Sequence, residues 1–294
     1  MGYYLRAGYY LRAGCWHFCW WLCFVALIEL RLEAQSPTSN SNSVGNPSAL
    51  SVEAQSSIGS ASSNKSNPMR IGVYVDEGAG NSVNDLLSVL SRFEGVTVTK
   101  LKASDIRSGK LAELDLLIQP GGSGGGQGRH LGEDGRESIR GFVKAGGGFV
   151  GICAGSYLAS SDYEWSLHIL DAKVIDRKHW NRGRGTVDIA MTEPGRKLLG
   201  AESQRLSIHY AQGPLLAPAN RPDIEDYETL ATFETEIAKN GAPEGVMKGT
   251  TAIAKGRFGS GLVLCFSPHP ELTNGLENMV GLAIRHVQRE SRNH

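Results

Sequence analysis

From Met69 onward, short apolar runs alternate with helix-spaced segments, and no other feature of the chain constrains its fold as much. "MRIGVYV" (69–75) is apolar and β-branched, as a buried strand is, and "NSVNDLLSVLSRF" (81–93) has helical spacing. "VTVTKL" (96–101) and "LDLLIQP" (114–120) read as a second and a third strand, the latter running into "GGSGGGQG". "EDGRESIRGFVKAG" (133–146) predicts a helix with acidic residues in its first turn and Gly146 at its end. "GGFVGI" (147–152) predicts a fourth strand, which stops at Cys153. Strands that alternate with helices need crossover connections, so the pattern predicts an α/β fold with a doubly wound, mostly parallel sheet. Ligands of such sheets sit beyond the carboxyl ends of the strands, where the glycine loop and Cys153 both fall.

Residues 160–250 are less regular and predict a β-rich insertion, with strands at "TVDIAM" (186–191), "RLSIHY" (205–210) and "TLATFE" (229–234). "TTAIAKGRFGSGLVLCFSPHPE" (250–271) reads as a hairpin around "GRFGSG", followed by a helix over about 276–289. Residues 69–290 are expected to form one domain.

The segment ahead of Met69 has a different texture. Residues 1–34 carry the hexamer GYYLRA twice in tandem, and Arg6 and Arg12 precede an uncharged run from Gly14 to Ile28. A basic flank before a short apolar run predicts a secretory signal or an N-terminal anchor, and hence an exported or membrane-tethered protein. The run is short of the roughly 20 residues that a span needs, and Leu32 fits poorly two places before a cleavage site at Ala34. The competing reading is a true start at Met69, which would leave the protein cytoplasmic. Residues 35–68 hold 12 Ser and 5 Asn and no aromatic. Such a stretch cannot bury enough apolar surface to offset its ordering entropy and predicts a flexible linker.

Thirty basic residues balance thirty acidic ones, so neither a nucleic-acid nor an anionic-membrane surface is expected, and the partner sought is a small molecule. Nothing in the pattern sets an oligomeric state. Three of the five cysteines fall in the N-terminal apolar run, leaving Cys153 and Cys265. Cys265, inside an apolar strand, is expected in the core.

In "GICAG" (151–155) Cys153 reads in two ways. A nucleophile on a tight strand-to-helix turn needs flanking glycines, because a Cβ on either side would strike neighbouring backbone. A small buried thiol gives the same letters. A thiol nucleophile also needs a base and a group to orient it, and "SPHPE" (267–271) supplies His269 and Glu271 two residues apart. "QPGGSGGGQG" (119–128) lacks the G-K-[ST] of a phosphate loop and the G-x-G-x-x-G spacing, so no nucleotide cofactor is expected. Its Gly121 and Gly122 are candidate oxyanion donors together with Ala154, while residues 124–128 are expected to form a surface loop. His130, His168 and His209 show no metal-ligand spacing. Within the insertion, Arg177, His179, Trp180 and Arg182 cluster as an anion-binding group would, or as a solvated basic turn would. Tyr210 and Gln212 are candidate cavity walls near a strand end.

Strand-"PGG", then G-[IV]-C-x-G, then "HPE" near the end, in that order, resembles the class I glutamine amidotransferase-like superfamily. Within it, "GGGFVGICAGSYLAS" and "FSPHPE" are similar to the domain at the N-terminus of eukaryotic biotin-protein ligases, which also occurs alone in bacteria. The resemblance covers about residues 69–290. It implies a flavodoxin-like fold and a Cys153–His269–Glu271 triad in a thiol-dependent hydrolase or amidotransferase-like enzyme; the alternative is a silent ligand-binding module on the same fold. Glutaminases of this kind usually carry Gln, or a similar group, four residues after the cysteine to hold substrate glutamine. Tyr157 stands there, which puts glutamine in doubt as the substrate.

Overall fold

The computed structural model of the protein describes residues 67–292. The predicted export segment (1–34) and residues 35–66 of the predicted linker lie outside them. Chain contacts gather the described residues into one compact unit. Among the described residues, no helix is long and apolar enough to cross a membrane.

The first half alternates as the pattern predicts: β1 (Met69–Tyr74), α1 (Ser82–Leu90), β2 (Val96–Leu101), a short α2 (Ala103–Arg107), β3 (Leu116–Gln119), α3 (Gly124–Lys144), β4 (Gly148–Ile152) and α4 (Ala154–Ala159). The insertion supplies β5 (Ala172–Ile175), β6 (Arg184–Met191), α5 (Glu193–Leu199), β7 (Arg205–Ala211), β8 (Leu215–Pro218) and β9 (Glu228–Phe233). β10 (Thr251–Phe258), β11 (Gly261–Phe266) and α6 (Asn278–Arg292) close the chain.

All eleven strands join one sheet, in the order β2-β1-β3-β4-β11-β10-β9-β6-β7, with β8 pairing β10 and β5. β2 through β11 run parallel, and the strands beyond β11 are antiparallel. The result is a doubly wound α/β fold whose parallel half has the flavodoxin-like order, extended by the β-rich insertion.

The parallel strands are apolar on both faces because helices cover both. Leu116, Ile118, Val150, Ile152, Leu264 and Phe266 face α1 and α6, whose Leu86, Leu90, Val280 and Ile284 complete that core. The alternate residues Leu117, Phe149, Val263 and Cys265 face α3 and α4, against Leu131, Ile139, Val143 and Leu158. Cys265 is thus a core residue, its thiol pushed up to about 12 by burial.

The stretch 124–128, expected to be a surface loop, is the first part of a helix. α3 runs from Gly124, capped by the Ser123 hydroxyl accepting the Gly126 N–H at 3.0 Å, and kinks at Gly132 (φ 67°) before the predicted segment begins. Packing overrides poor intrinsic propensity here. Gln127 is buried and donates to the carbonyls of Gly78 and Pro120, and a Cβ at Gly128 would overlap the Trp165 carbonyl.

Candidate active site

Three adjacent parallel strands deliver the three motifs to one edge. In register, Gln119 of β3 pairs with Gly151 of β4, and Ile152 of β4 with Phe266 of β11. Gly121 and Gly122 follow β3, Cys153 follows β4 and His269 follows β11, so segments more than a hundred residues apart in sequence meet.

Cys153 has φ 51° and ψ −99°, a conformation that L-residues rarely adopt. Its N–H donates to the Phe266 carbonyl at 2.7 Å, which ties the turn to β11. A Cβ on Gly151 would stand 2.6 Å from the Gly155 carbonyl oxygen, and one on Gly155 would overlap that of Gln119. Both flanking glycines are therefore required by close backbone approach. The Ser156 hydroxyl, donating within reach of the Gly151 and Phe266 carbonyls, holds the first turn of α4 from behind.

His269 is 3% exposed and Glu271 5%. Their contact is direct, Nδ1 to Oε1 at 2.7 Å. Pro270–Leu272 forms a single 3-10 turn, which brings the two side chains together. Burial alone would lower the imidazole; the adjacent Cys153 and the Glu271 carboxylate outweigh it and raise His269 to about 10. Nε2 is buried and has no hydrogen-bond partner, while the thiol itself donates to the Ala211 carbonyl at 3.5 Å. Cys153 and His269 are thus close neighbours, near enough for the sulfur to contribute to the raised imidazole.

Cys153 and His269 open into a cavity of about 800 Å³. Of the predicted residues, Gly122, Tyr157, Arg177, Trp180 and Gln212 line it. Gly121 lies behind the wall, where a Cβ would stand 2.7 Å from His269 Cε1. Ala154 is buried just after the thiol. The Tyr157 hydroxyl donates to the Gln212 carbonyl at 3.2 Å, and burial raises its pKa well above the ordinary phenol value.

Of the predicted ligand-binding residues, Tyr210, His179 and Arg182 do not reach the cavity. Tyr210 shares the inward face of β7 with Ile208; it is fully buried, edge-on to Phe233, and its hydroxyl donates to the Gly213 carbonyl. His179 turns instead to Asp176, Nδ1 to Oδ1 at 2.6 Å. Arg182, clustered with it in sequence, is 1% exposed and also pairs with Asp176.

The cavity also holds residues that the sequence did not single out. Tyr163 and Trp165 are stacked 4.4 Å apart, with the Arg177 guanidinium 4.2 Å over Tyr163. Arg129, Arg184 and His209 complete this wall. The alternation of β7 could have found His209, because it puts that residue on the face opposite Ile208 and Tyr210. Burial, together with the neighbouring His269 charge, lowers His209 below the usual imidazole value. Among the described residues, no group of His, Cys, Asp and Glu is arranged to hold a metal ion.

The comparisons agree with this architecture. The family model "Biotin-protein ligase, N terminal" matches residues 69–187. PurLQS from Thermotoga maritima, 17% identical, superposes with a TM-score of 0.54 over 75% of this chain and 99% of its own. A ThuA-like protein from Parabacteroides merdae, 11% identical, gives 0.51 over 77% and 91%, and one from Bacteroides uniformis, 14% identical, gives 0.50 over 75% and 91%. No curated protein sequence matches the chain. Residues 69–187 thus match the biotin-protein ligase N-terminal family model, and the domain as a whole shares its fold with PurLQS and the ThuA-like proteins.

Proposed function

We propose that the chain is a thiol-dependent amide or ester hydrolase, with Cys153 as nucleophile and His269 and Glu271 as its partners. The observation that carries this reading is a strained, cavity-facing cysteine beside a buried His269–Glu271 pair. The Cys153 thiolate adds to the substrate carbonyl. The oxyanion so formed is met by the Gly122 and Ala154 N–H groups. The tetrahedral species collapses to a thioester as the His269 imidazolium gives its proton to the departing amine or alcohol. Water then attacks the thioester, its proton passes to His269, and the thiolate leaves with the free acid released. Glu271 keeps the imidazole oriented throughout and stabilises its charged form before the first transfer and after the second.

A second reading, a ligand-binding module without turnover, is favoured by one observation: the thiol donates to Ala211 and leaves His269 Nε2 without a partner. Alkylation of Cys153 followed against pH, with Cys153→Ser as control, separates the two. The hydrolase reading expects a reactive thiol well below pH 8; a rate that tracks an ordinary thiol near 8.5 overturns it. Ammonia release from glutamine, assayed alongside, is expected to be absent, since Tyr157 occupies the position of the usual glutamine-holding residue.

We further propose that residues 1–34 direct export or membrane tethering, on their basic flank and apolar run. Full-length protein recovered only from the cytosol would refute this.

A further inference from the structure

Three arginines from three separate elements line the cavity over Cys153: Arg129 on α3, Arg177 in the 3-10 turn Arg177–His179, and Arg184 at the start of β6. Among the described residues none of the three meets a carboxylate, although Arg70, Arg140, Arg182 and Arg257 elsewhere in the domain each hold one. No Asp or Glu among the described residues lines the cavity.

The three are positioned by neutral groups instead. Arg177 lies over the Tyr163 ring, Tyr163 stacks on Trp165, and Trp165 packs against Gly124 in the first turn of α3. In that same turn the Arg129 guanidinium covers Gly125. Arg184 donates to Gln212 Oε1 at 3.3 Å, and Gln212 follows Ala211, whose carbonyl receives the Cys153 thiol. Guanidinium groups held by stacking and by neutral acceptors keep charge and N–H donors for a ligand.

We propose that the cavity takes an anionic substrate: an amide or ester that carries a carboxylate or phosphate group, held by Arg129, Arg177 and Arg184 while its carbonyl faces Cys153. The assignment deepens the hydrolase reading and rests on it. It also disfavours free glutamine on physical grounds, because that molecule's ammonium group would enter a cavity with three guanidinium groups and no carboxylate on its wall.

The test uses the full-length protein at pH 7 and fixed ionic strength. Cys153 is alkylated with anionic iodoacetate and with neutral iodoacetamide, and the ratio of rates is compared with that for glutathione. The wild-type ratio is expected to exceed the glutathione ratio by about tenfold, as close charges of opposite sign in a partly solvated cavity would produce. The His269 imidazolium also attracts an anion, so the arginine variants carry the decision. Arg129→Gln, Arg177→Gln and Arg184→Gln should each lower the ratio by about threefold, the range of a single exposed charge. A ratio unmoved in all three overturns the anionic assignment, whereas a Cys153 inert to iodoacetamide overturns the nucleophile reading instead.

Tryptophan fluorescence gives a readout independent of the thiol, since Trp165 and Trp180 both line the cavity. Benzoate and inorganic phosphate are titrated as probes, with benzamide as neutral control. A saturable change with benzoate identifies a carboxylate ligand and one with phosphate a phosphate ligand, each lost in the triple variant. No saturable change with either anion overturns the proposal.

Discussion

At the scale of the residue, the site depends on one excluded methyl group and one proton. Gly155 touches the Gln119 carbonyl closely enough that a single methyl group would displace it. Gly155→Ala is therefore expected to cost about 1–3 kcal/mol of stability, as overpacking does, and to slow Cys153 alkylation by shifting the turn. Urea unfolding and alkylation rates check the two effects separately. The proton is the one on His269. Raised to about 10, the imidazole stays charged across neutral pH, with Cys153, Glu271 and His209 as its titratable neighbours. Glu271→Gln removes one of the causes, so the histidine should titrate at lower pH than in wild type. Proton NMR of His269 is the direct measurement, and an unshifted titration would show that Glu271 does not hold the charge.

At the scale of the element, the 3-10 turn after β5 aims two cavity residues, Arg177 and Trp180. It is anchored from beneath by Asp176, in the left-handed region at φ 55°, which binds His179 and the buried Arg182. Asp176→Ala leaves the Arg182 guanidinium buried without its counter-ion and should cost about 3–5 kcal/mol. The turn should also loosen, lowering the iodoacetate preference along with stability. A double variant, Asp176→Ala with Arg182→Leu, should recover stability, because the uncompensated charge is then gone. Thermal unfolding of the three proteins tests the pairing. α3 shows how an element departs from its sequence pattern. Its glycine-rich first turns have little helical preference, and the helix exists there because Ser123 caps it, Gln127 ties it to the loop after β3 and Gly128 lets Trp165 close in.

At the scale of the whole molecule, stability should carry the signature of the buried imidazole. A group whose folded pKa is raised above its unfolded value near 6.5 contributes stability in full below that value, and loses it as pH rises through about 10. The gap in unfolding free energy between wild type and His269→Asn should therefore be widest near pH 6 and narrow toward pH 10. A gap constant over that range would mean that folding does not hold the imidazole protonated. The insertion acts at the same scale. It adds antiparallel strands to one side of a parallel sheet and contributes β7, the 3-10 turn and the Tyr163–Trp165 stack as walls around the thiol, so that the strand edge becomes a half-open cavity.

The parallel half of the fold is legible along the chain, because apolar runs at strand length, punctuated by helix-spaced segments, have few other ways to bury both faces. So is the placement of Cys153, His269 and the glycines after β3 at one edge, since parallel neighbours end on the same side. What surrounds them is set by long-range packing. Tyr210 and His179 carry suitable chemistry but spend it on the core and on Asp176, while Arg129, Tyr163, Trp165, Arg184 and His209 reach the cavity through packing between elements far apart in the chain. Strand and helix periods are local and can be read along the sequence; which wall a loop side chain faces is set by long-range contacts that no local period encodes.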